Sequence, residues 1–600
     1  MLHFSETNDR RQLVECAMGR RPADMVIRQG QWVCVQSGEI IPNTDIAILD
    51  GRISYVGSDA QHTIGEHTQV IQAENRFLVP GLLDGHMHVE SSMLTITEFV
   101  RAVVPHGTTG LFIDPHEIAN VFGLPGVRLM VDEAALQPIH VFVQMPSCVP
   151  SAPGLETPGA TIGPTEVAEA ISWPGVIGLG EVMNFPGVNR GDEAVHVEMN
   201  LTRKAGKVIS GHYASADLGL SFHGYAAAGA EDDHEGTCLE DVLARARQGL
   251  KPMLRYGSAW HDVASQVIAI TELGLDPRHF ILCTDDSHCA TLLQDGHMDR
   301  VVRHAIHQGL PPMCTIQMAT INTAQHFKLD REMGIIAPGR WADIVLVKDL
   351  TNFQADKVIA RGNLVAEEGC LLADHPDVHF PEWVLHSVHI PRRLTSRDFS
   401  IITETNGPII ANVIGIIENQ AITHHLRMEL QPNQNHITPD PQRDLAKVAI
   451  IERHHNSGRI QVSLVHGFGF TERCAVGTTV AHDCHHLIVV GTYEDDMALA
   501  ANTLTECSGG QVVVKNGDIL ARVELPIAGL MSTERAEFVA QKTNSVLEGF
   551  RMCGCNLNNP NMQLSLLALV VIPELRISDL GLIDVHNFRF IRMIENGEGK

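Results

Sequence analysis

Arg76–Thr95 reads "RFLVPGLLDGHMHVESSMLT". An apolar run from Phe77 to Leu83 leads into Asp84-Gly85-His86-Met87-His88, and the text then turns polar and small. In a strand, residues i and i+2 share a face, so His86 and His88 project together from its C-terminal end. An isolated H-x-H pair is equally the mark of surface or packed histidines. Its meaning depends on whether other strands end the same way.

They do. From Phe77 to about His326, eight short apolar runs alternate with longer helical segments, ending near His86/His88, Asp114, Pro146, Glu181, His212, His234, Arg255 and Asp285. Strands alternating with helices indicate a parallel sheet, and eight of them in about 250 residues match the size of a (β/α)8 barrel. An open doubly wound sheet is the alternative. Against it, neither "GLGEVM" nor "GFGFTE" completes the G-x-G-x-x-G phosphate-loop pattern. The expected fold is therefore α/β, with a (β/α)8 barrel over 80–330.

On either side of this region the text changes to short strands and turns. Met25–Val56 is β-branched and alternating, broken by Gly30, Gly38, Pro42, Asn43 and Gly51, and Gly334–Gly369 has the same character. These stretches are expected to join in one β-sandwich, 25–79 with 331–390, after a lead-in over 1–24. Residues 391–600 are mixed α and β, long enough for a C-terminal α+β domain.

Barrel enzymes place their chemistry at the C-terminal mouth of the strands. The run-ends His86, His88, Glu181, His212, His234 and Asp285 put four imidazoles and two carboxylates there, a set suited to two divalent cations with Glu181 bridging them. Each also has an ordinary reading: His234 decorates the acidic loop "AEDDHEG", and Asp285 caps a helix. All six together by chance is far less probable. Glu90, Ser91 and Ser92, with Asp114, His116 and Glu117, lie at the same rim, where they either contact substrate or cap helices. A second His-rich cluster, His482-Asp483-Cys484-His485-His486, either approaches this mouth, holds an additional metal, or forms a strand leading into the core run "LIVVG".

The composition narrows the class. A net charge of −27 argues against a nucleic-acid groove and suits an enzyme for a small molecule. No apolar stretch is long enough to span a bilayer, Met1–Arg21 does not read as a signal peptide, and 13 scattered Cys look like reduced thiols. The expected compartment is the cytoplasm. The cytidine-deaminase zinc pattern, H-x-E followed by P-C-x-x-C, does not occur.

Several segments carry a more specific likeness. "PGLLDGHMHVESSMLT", "VVPHGTTGLFIDPHEIANVFG", "GLGEVMNFPGV", "LCTDD", "GSAWHDV", "MATINTAQHFKLDREMGIIAPGRWADIVLV" and the downstream "TTVAHDCHHLIVVG" and "ELPIAGLMST" resemble the characteristic segments of adenine deaminases in the amidohydrolase superfamily. The likeness covers nearly the whole chain, and general amidohydrolases lack the last two segments. It implies a metal set of His86, His88, Glu181, His212, His234 and Asp285, occupied by two ions, Mn(II) or Fe(II), with Zn(II) as the alternative. The bridging position holds Glu181 rather than the lysine that dihydroorotase- and urease-like relatives carboxylate. The resemblance implies hydrolysis of adenine to hypoxanthine and ammonia in purine salvage by a homodimer, with Asp285 shuttling the proton and Glu181 assisting at the ring nitrogen. His212 and His234 are expected neutral, each with its second ring nitrogen held by an acceptor. Other readings are an amidohydrolase for another aminated heterocycle or cyclic amide, or an inactive metal-binding scaffold.

Overall fold

The computed structural model describes residues 10–258, 260–374, 376 and 378–595. The H-x-H strand, Leu82–His88, is buried along its whole length. It lies in a curled six-stranded parallel sheet in the order Val208–Gly211, Val176–Val182, His140–Met145, Thr108–Ile113, Leu82–His88, Asp285–Asp286. Uniform burial fits a parallel sheet covered on both faces, which is why these runs are apolar without alternation. A second parallel sheet joins Asp232–Asp233, Lys251–Arg255 and Ile281–Cys283. The two sheets meet twice. Ile281–Cys283 runs on into Asp285–Asp286, which pairs with the H-x-H strand, and the Glu231 amide donates to the Ile209 carbonyl at 2.8 Å.

The strands before and after this unit join in a single nine-stranded sheet. Phe77–Pro80 pairs with Met25–Cys34 on one side and with Ile344–Val347 on the other. Met25, Ile27, Ile46 and Ile48 share one buried cluster with Ile344, Leu346 and Ile359, so both halves contribute to one core. Residues beyond 400 build another nine-stranded sheet, running from Thr423–Leu430 at one edge to Asp518–Glu524 at the other. Helices Glu494–Glu506 and Ala536–Met552 pack against it.

This C-terminal region bears directly on the strand mouths. The Ser532 amide donates to the Met93 carbonyl at 2.9 Å, the Ala536 amide to Glu98 Oε2 at 2.9 Å, and the Thr157 amide to Asp579 Oδ1 at 3.0 Å. Among the described residues no helix is long and apolar enough to cross a membrane.

Candidate metal centre and active site

All six expected residues converge at the C-terminal ends of the parallel strands, and each is nearly solvent-free. Glu181 is central. Its carboxylate lies 2.5 Å from His212 Nδ1, 3.0 Å from His234 Nε2, 3.6 Å from His88 Nε2 and 4.0 Å from His86 Nε2. Asp285 Oδ1 stands 3.3 Å from His88 Nε2. Three overlapping triads, His86–His88–Glu181, His86–His234–Asp285 and Glu181–His212–His234, each bring their ligand atoms within 4.8 Å of one another.

The surrounding chain fixes these positions. Asp84 Oδ1 accepts from the Thr284 amide at 3.0 Å, tying the H-x-H strand to the last strand. The Tyr225 hydroxyl accepts from the His212 amide at 2.8 Å and donates to the Val182 carbonyl at 2.9 Å, linking the strands of His212 and Glu181. Asp114 Oδ2 accepts from the Glu181 amide at 2.8 Å. Residue 180 must be glycine for that contact, because a Cβ there would fall 2.3 Å from Asp114 Oδ2. Asp285 itself has φ of +60°, a left-handed conformation that Asp tolerates better than most residues. It interrupts the last strand and aims this carboxylate inward. Asp286 also lines the cavity, but its carboxylate meets the Ser91 hydroxyl and Trp260 Nε1 rather than the imidazoles.

Burial alone would raise the Glu181 carboxyl, but His212 and His234 beside it hold it well below the ordinary carboxylate range. Asp285 is likewise raised by burial and lowered further by His88, Arg255 and His234, so its net position is well below normal. Burial and two neighbouring imidazoles keep His86 neutral, with its value well below normal. Burial opposes a charge on His212, but Glu235 and Glu181 lift it to about 9. The carboxylates around His212 and His234 thus favour positive charge at this point.

That field and the donor set both fit divalent cations. Both ring nitrogens of His86, Nε2 of His212 and Nδ1 of His234 are buried without a hydrogen-bond partner, a costly state for polar atoms unless an ion takes one of them. His88 Nδ1 lies 2.9 Å from the Asp114 carbonyl, an acceptor that fixes its ring. His212 Nδ1 and His234 Nε2 face the Glu181 carboxylate instead.

The six rim residues divide. His116 and Glu117 line the small cavity beside the cluster, and His116 Nδ1 lies 3.1 Å from Glu181 Oε1. Glu90, Ser91, Ser92 and Asp114 lie behind it. Glu90 Oε1 accepts from the Ile118 amide at 3.2 Å, Ser91 Oγ donates to Glu117 Oε1 at 2.8 Å, and Ser92 Oγ donates to the Val89 carbonyl at 2.6 Å. In the second His cluster, His482 lines the cavity and His485 approaches Glu117, while His486 turns away to Asp579 at 3.3 Å. Sequence reading gave no role to Glu235, Arg255, Trp260 or Asp483, which also line the cavity. Arg255 stood there only as a strand end, and Asp483 only as a member of the His-rich string. A larger cavity of about 530 Å³ adjoins, sharing Trp260 with the first and lined further out by His288, Asn559 and Gln563.

The comparisons with known proteins agree with this geometry. Residues 77–365 match the model of the amidohydrolase family, and 420–589 match the adenine deaminase C-terminal domain. "Adenine deaminase 3" of Rhizobium meliloti (strain 1021) is 57% identical, covering 97% of this chain and 98% of that protein.

The chain belongs to the adenine deaminase family.

The family likeness extends to distant members. The adenine deaminase of Mesorhizobium japonicum is 58% identical over 96% of each chain, and that of Moorella thermoacetica is 49% identical over 97% of this chain and 98% of its own. A chain of this family is a hydrolase of the amidohydrolase type, and its buried His, Glu and Asp clusters suit divalent metal.

Proposed function

We propose that this chain hydrolyses adenine to hypoxanthine and ammonia, with two divalent ions held by His86, His88, Glu181, His212, His234 and Asp285. The observation that carries the reading is the convergence of six buried ligand groups, Glu181 at their centre, with ring nitrogens left unpartnered. Mn(II) or Fe(II) suits the set, with Zn(II) as the alternative. Ions bound there supply Lewis acidity, which brings the pKa of a water into reach of a carboxylate base.

The chain's own groups do the rest. Water adds at C6, the ring takes a proton at N1, and the amino group leaves as ammonia. Asp285 accepts the water proton and returns it to the departing amine. Arg255, 2.9 Å from Asp285 Oδ2, holds that carboxylate in its orientation. Glu181 fixes the spacing of the imidazoles and, with His116 3.1 Å from its Oε1, would pass a proton to the ring nitrogen and recover it from the new C6 hydroxyl. Leu566, Leu569 and Ile572 from the C-terminal region line the cavity and give it an apolar side.

In this reading the two parallel sheets close as one (β/α)8 barrel over 80–330, with a β-sandwich from 25–79 and 331–390 and a C-terminal domain over 391–600. The enzyme works in purine salvage as a cytoplasmic homodimer. The test is ammonia release and the absorbance change on conversion of adenine, compared with adenosine. Adenine is expected to react far faster, because a ribose at N9 would clash in a closed pocket. Comparable kcat/KM for the two would remove the adenine assignment, and no release from either would remove the reading.

A further inference from the structure

Beyond the six-residue cluster, a second group of potential ligands meets where the C-terminal region touches the parallel strands. Glu117 comes from the helix His116–Phe122, while His482 and His485 come from the loop that follows strand Cys474–Thr478. Their ligand atoms lie within 4.8 Å of one another, and all three side chains are buried. His482 Nδ1 is 3.6 Å from Glu117 Oε1, and His485 Nε2 is 3.9 Å from Glu117 Oε2. These spacings are too long for hydrogen bonds. They approach the separation of two ligands on one ion, about 3.4 Å for bonds of about 2.1 Å at a tetrahedral angle.

Two facts point to a ligand rather than to packing. Glu117 Oε2 and His485 Nε2 are both fully buried and have no hydrogen-bond partner. The local charge is also one-sided: Glu117 lies beside buried Glu90, and Ser91 bridges Glu117 to Asp286, with no Lys or Arg contact to either Glu117 or Asp286 among the described ion pairs. Buried carboxylates in this state need a cation, a proton or a partner. Two imidazoles and one carboxylate form the donor set of a borderline divalent ion.

We propose that Glu117, His482 and His485 bind a third divalent cation, separate from the pair around Glu181. It joins the catalytic unit to the C-terminal region: one ligand comes from the helix that carries His116, and two come from a loop more than 300 residues further along. It neutralises Glu117 and the carboxylates packed around it at the cavity wall. His486, held by Asp579, takes no part.

The test is metal counting together with location. Full-length protein purified with Mn(II) should contain about three ions per chain by elemental analysis, and crystals should show an anomalous peak between Glu117 and His485. His485→Gln should lose one ion and that peak while keeping the two at Glu181. His212→Ala should lose from the Glu181 cluster and keep the peak at Glu117, so the failure of either site is visible separately from the other. If His485→Gln does not fold, the parent crystal and Glu117→Gln decide. No peak at this triad with Mn(II), Fe(II) or Zn(II) would overturn the proposal. So would a His485→Gln protein with unchanged metal content, even if its KM for adenine rose, since that result would make the triad a substrate contact.

Discussion

The Arg255 guanidinium lies 2.9 Å from Asp285 Oδ2, on the side of the carboxylate opposite His88. The same guanidinium also contacts Glu235 and, through Nε at 3.0 Å, Asp262. One fully buried cation thus serves three acidic groups, and its own value is raised well above normal despite the cost of burial. Arg255→Met removes the one guanidinium that those three carboxylates share. Breaking a buried pair this way costs about 3–5 kcal/mol. The expected result is a marked fall in thermal stability together with loss of turnover. Arg255→Lys keeps the charge but cannot hold three acceptors in one plane. It should fold yet lose about tenfold or more in kcat, because Asp285 is no longer held in place. A Lys variant with parental kcat would remove the positioning role.

Asp285→Asn keeps the size of the side chain and removes its basicity. If Asp285 carries the proton from water to the amine, kcat should drop by about 10²–10⁴ while metal content remains near that of the parent. Loss of metal along with activity would show that the residue serves chiefly as a ligand. Near-normal turnover with full metal would mean that another group is the base.

Removing metal should abolish activity, and Mn(II) should restore it. Chelation should also lower the unfolding temperature, because an ion that binds only the folded chain stabilises it by about 4 kcal/mol at a thousand times its dissociation constant. The measurement is paired activity and thermal melts on chelated and reloaded samples. Full activity after exhaustive chelation would contradict the metal reading.

Glu198 is buried on the helix Glu193–Lys204 and pushed up to about 8, first by burial and then by Asp192 and Glu166. In the folded chain it holds its proton to a pH at which the unfolded chain, at the ordinary 4.5, has long lost it. The folded form therefore binds more protons between those two values, and stability falls as pH rises through that window. Glu198→Gln should be nearly neutral at pH 5 and stabilising by about 1–3 kcal/mol at pH 9, less than the full shift implies because local relaxation lets water in. Melting curves at the two pH values check this. An advantage of equal size at both would rule it out.

Much of the site was legible because parallel strands end in register. The side chains that close each apolar run share one mouth, so His86, His88, Glu181 and His212 stand out as run-ends. His234 follows a strand of only two residues, Asp232–Asp233, and was marked mainly by the family resemblance. Asp285 was legible in position but not in geometry, since its left-handed backbone breaks the strand alternation that would choose between it and Asp286. Glu235 follows His234 in a loop, where no periodicity says which way a side chain points. Asp483 comes from a distant part of the chain, and its approach to His116, at 3.6 Å, depends on how the C-terminal region docks. The His482–His486 string could not be divided by sequence either. The chain turns at His485, where φ is +52°, so its neighbours face opposite ways. The flanking strands were expected to meet in one β-sandwich; that they lie in a single nine-stranded sheet, and in what order, was not readable from their shared character.

Phe77–Pro80 and Ile344–Val347 lie side by side in that sheet, with Pro80 opposite Ile344. The whole catalytic segment between them therefore leaves and re-enters through adjacent strands, which stand about 4.8 Å apart. In topological terms it is an insertion into a hairpin. Its two ends are already held together by backbone hydrogen bonds, so a bridge of a few residues would close it. New chain ends could then open at a surface loop elsewhere in the segment, and the strand ladder would still hold the old junction shut. The sheet thus sees the inserted unit only through one pair of neighbouring strands, whatever the length of chain between them.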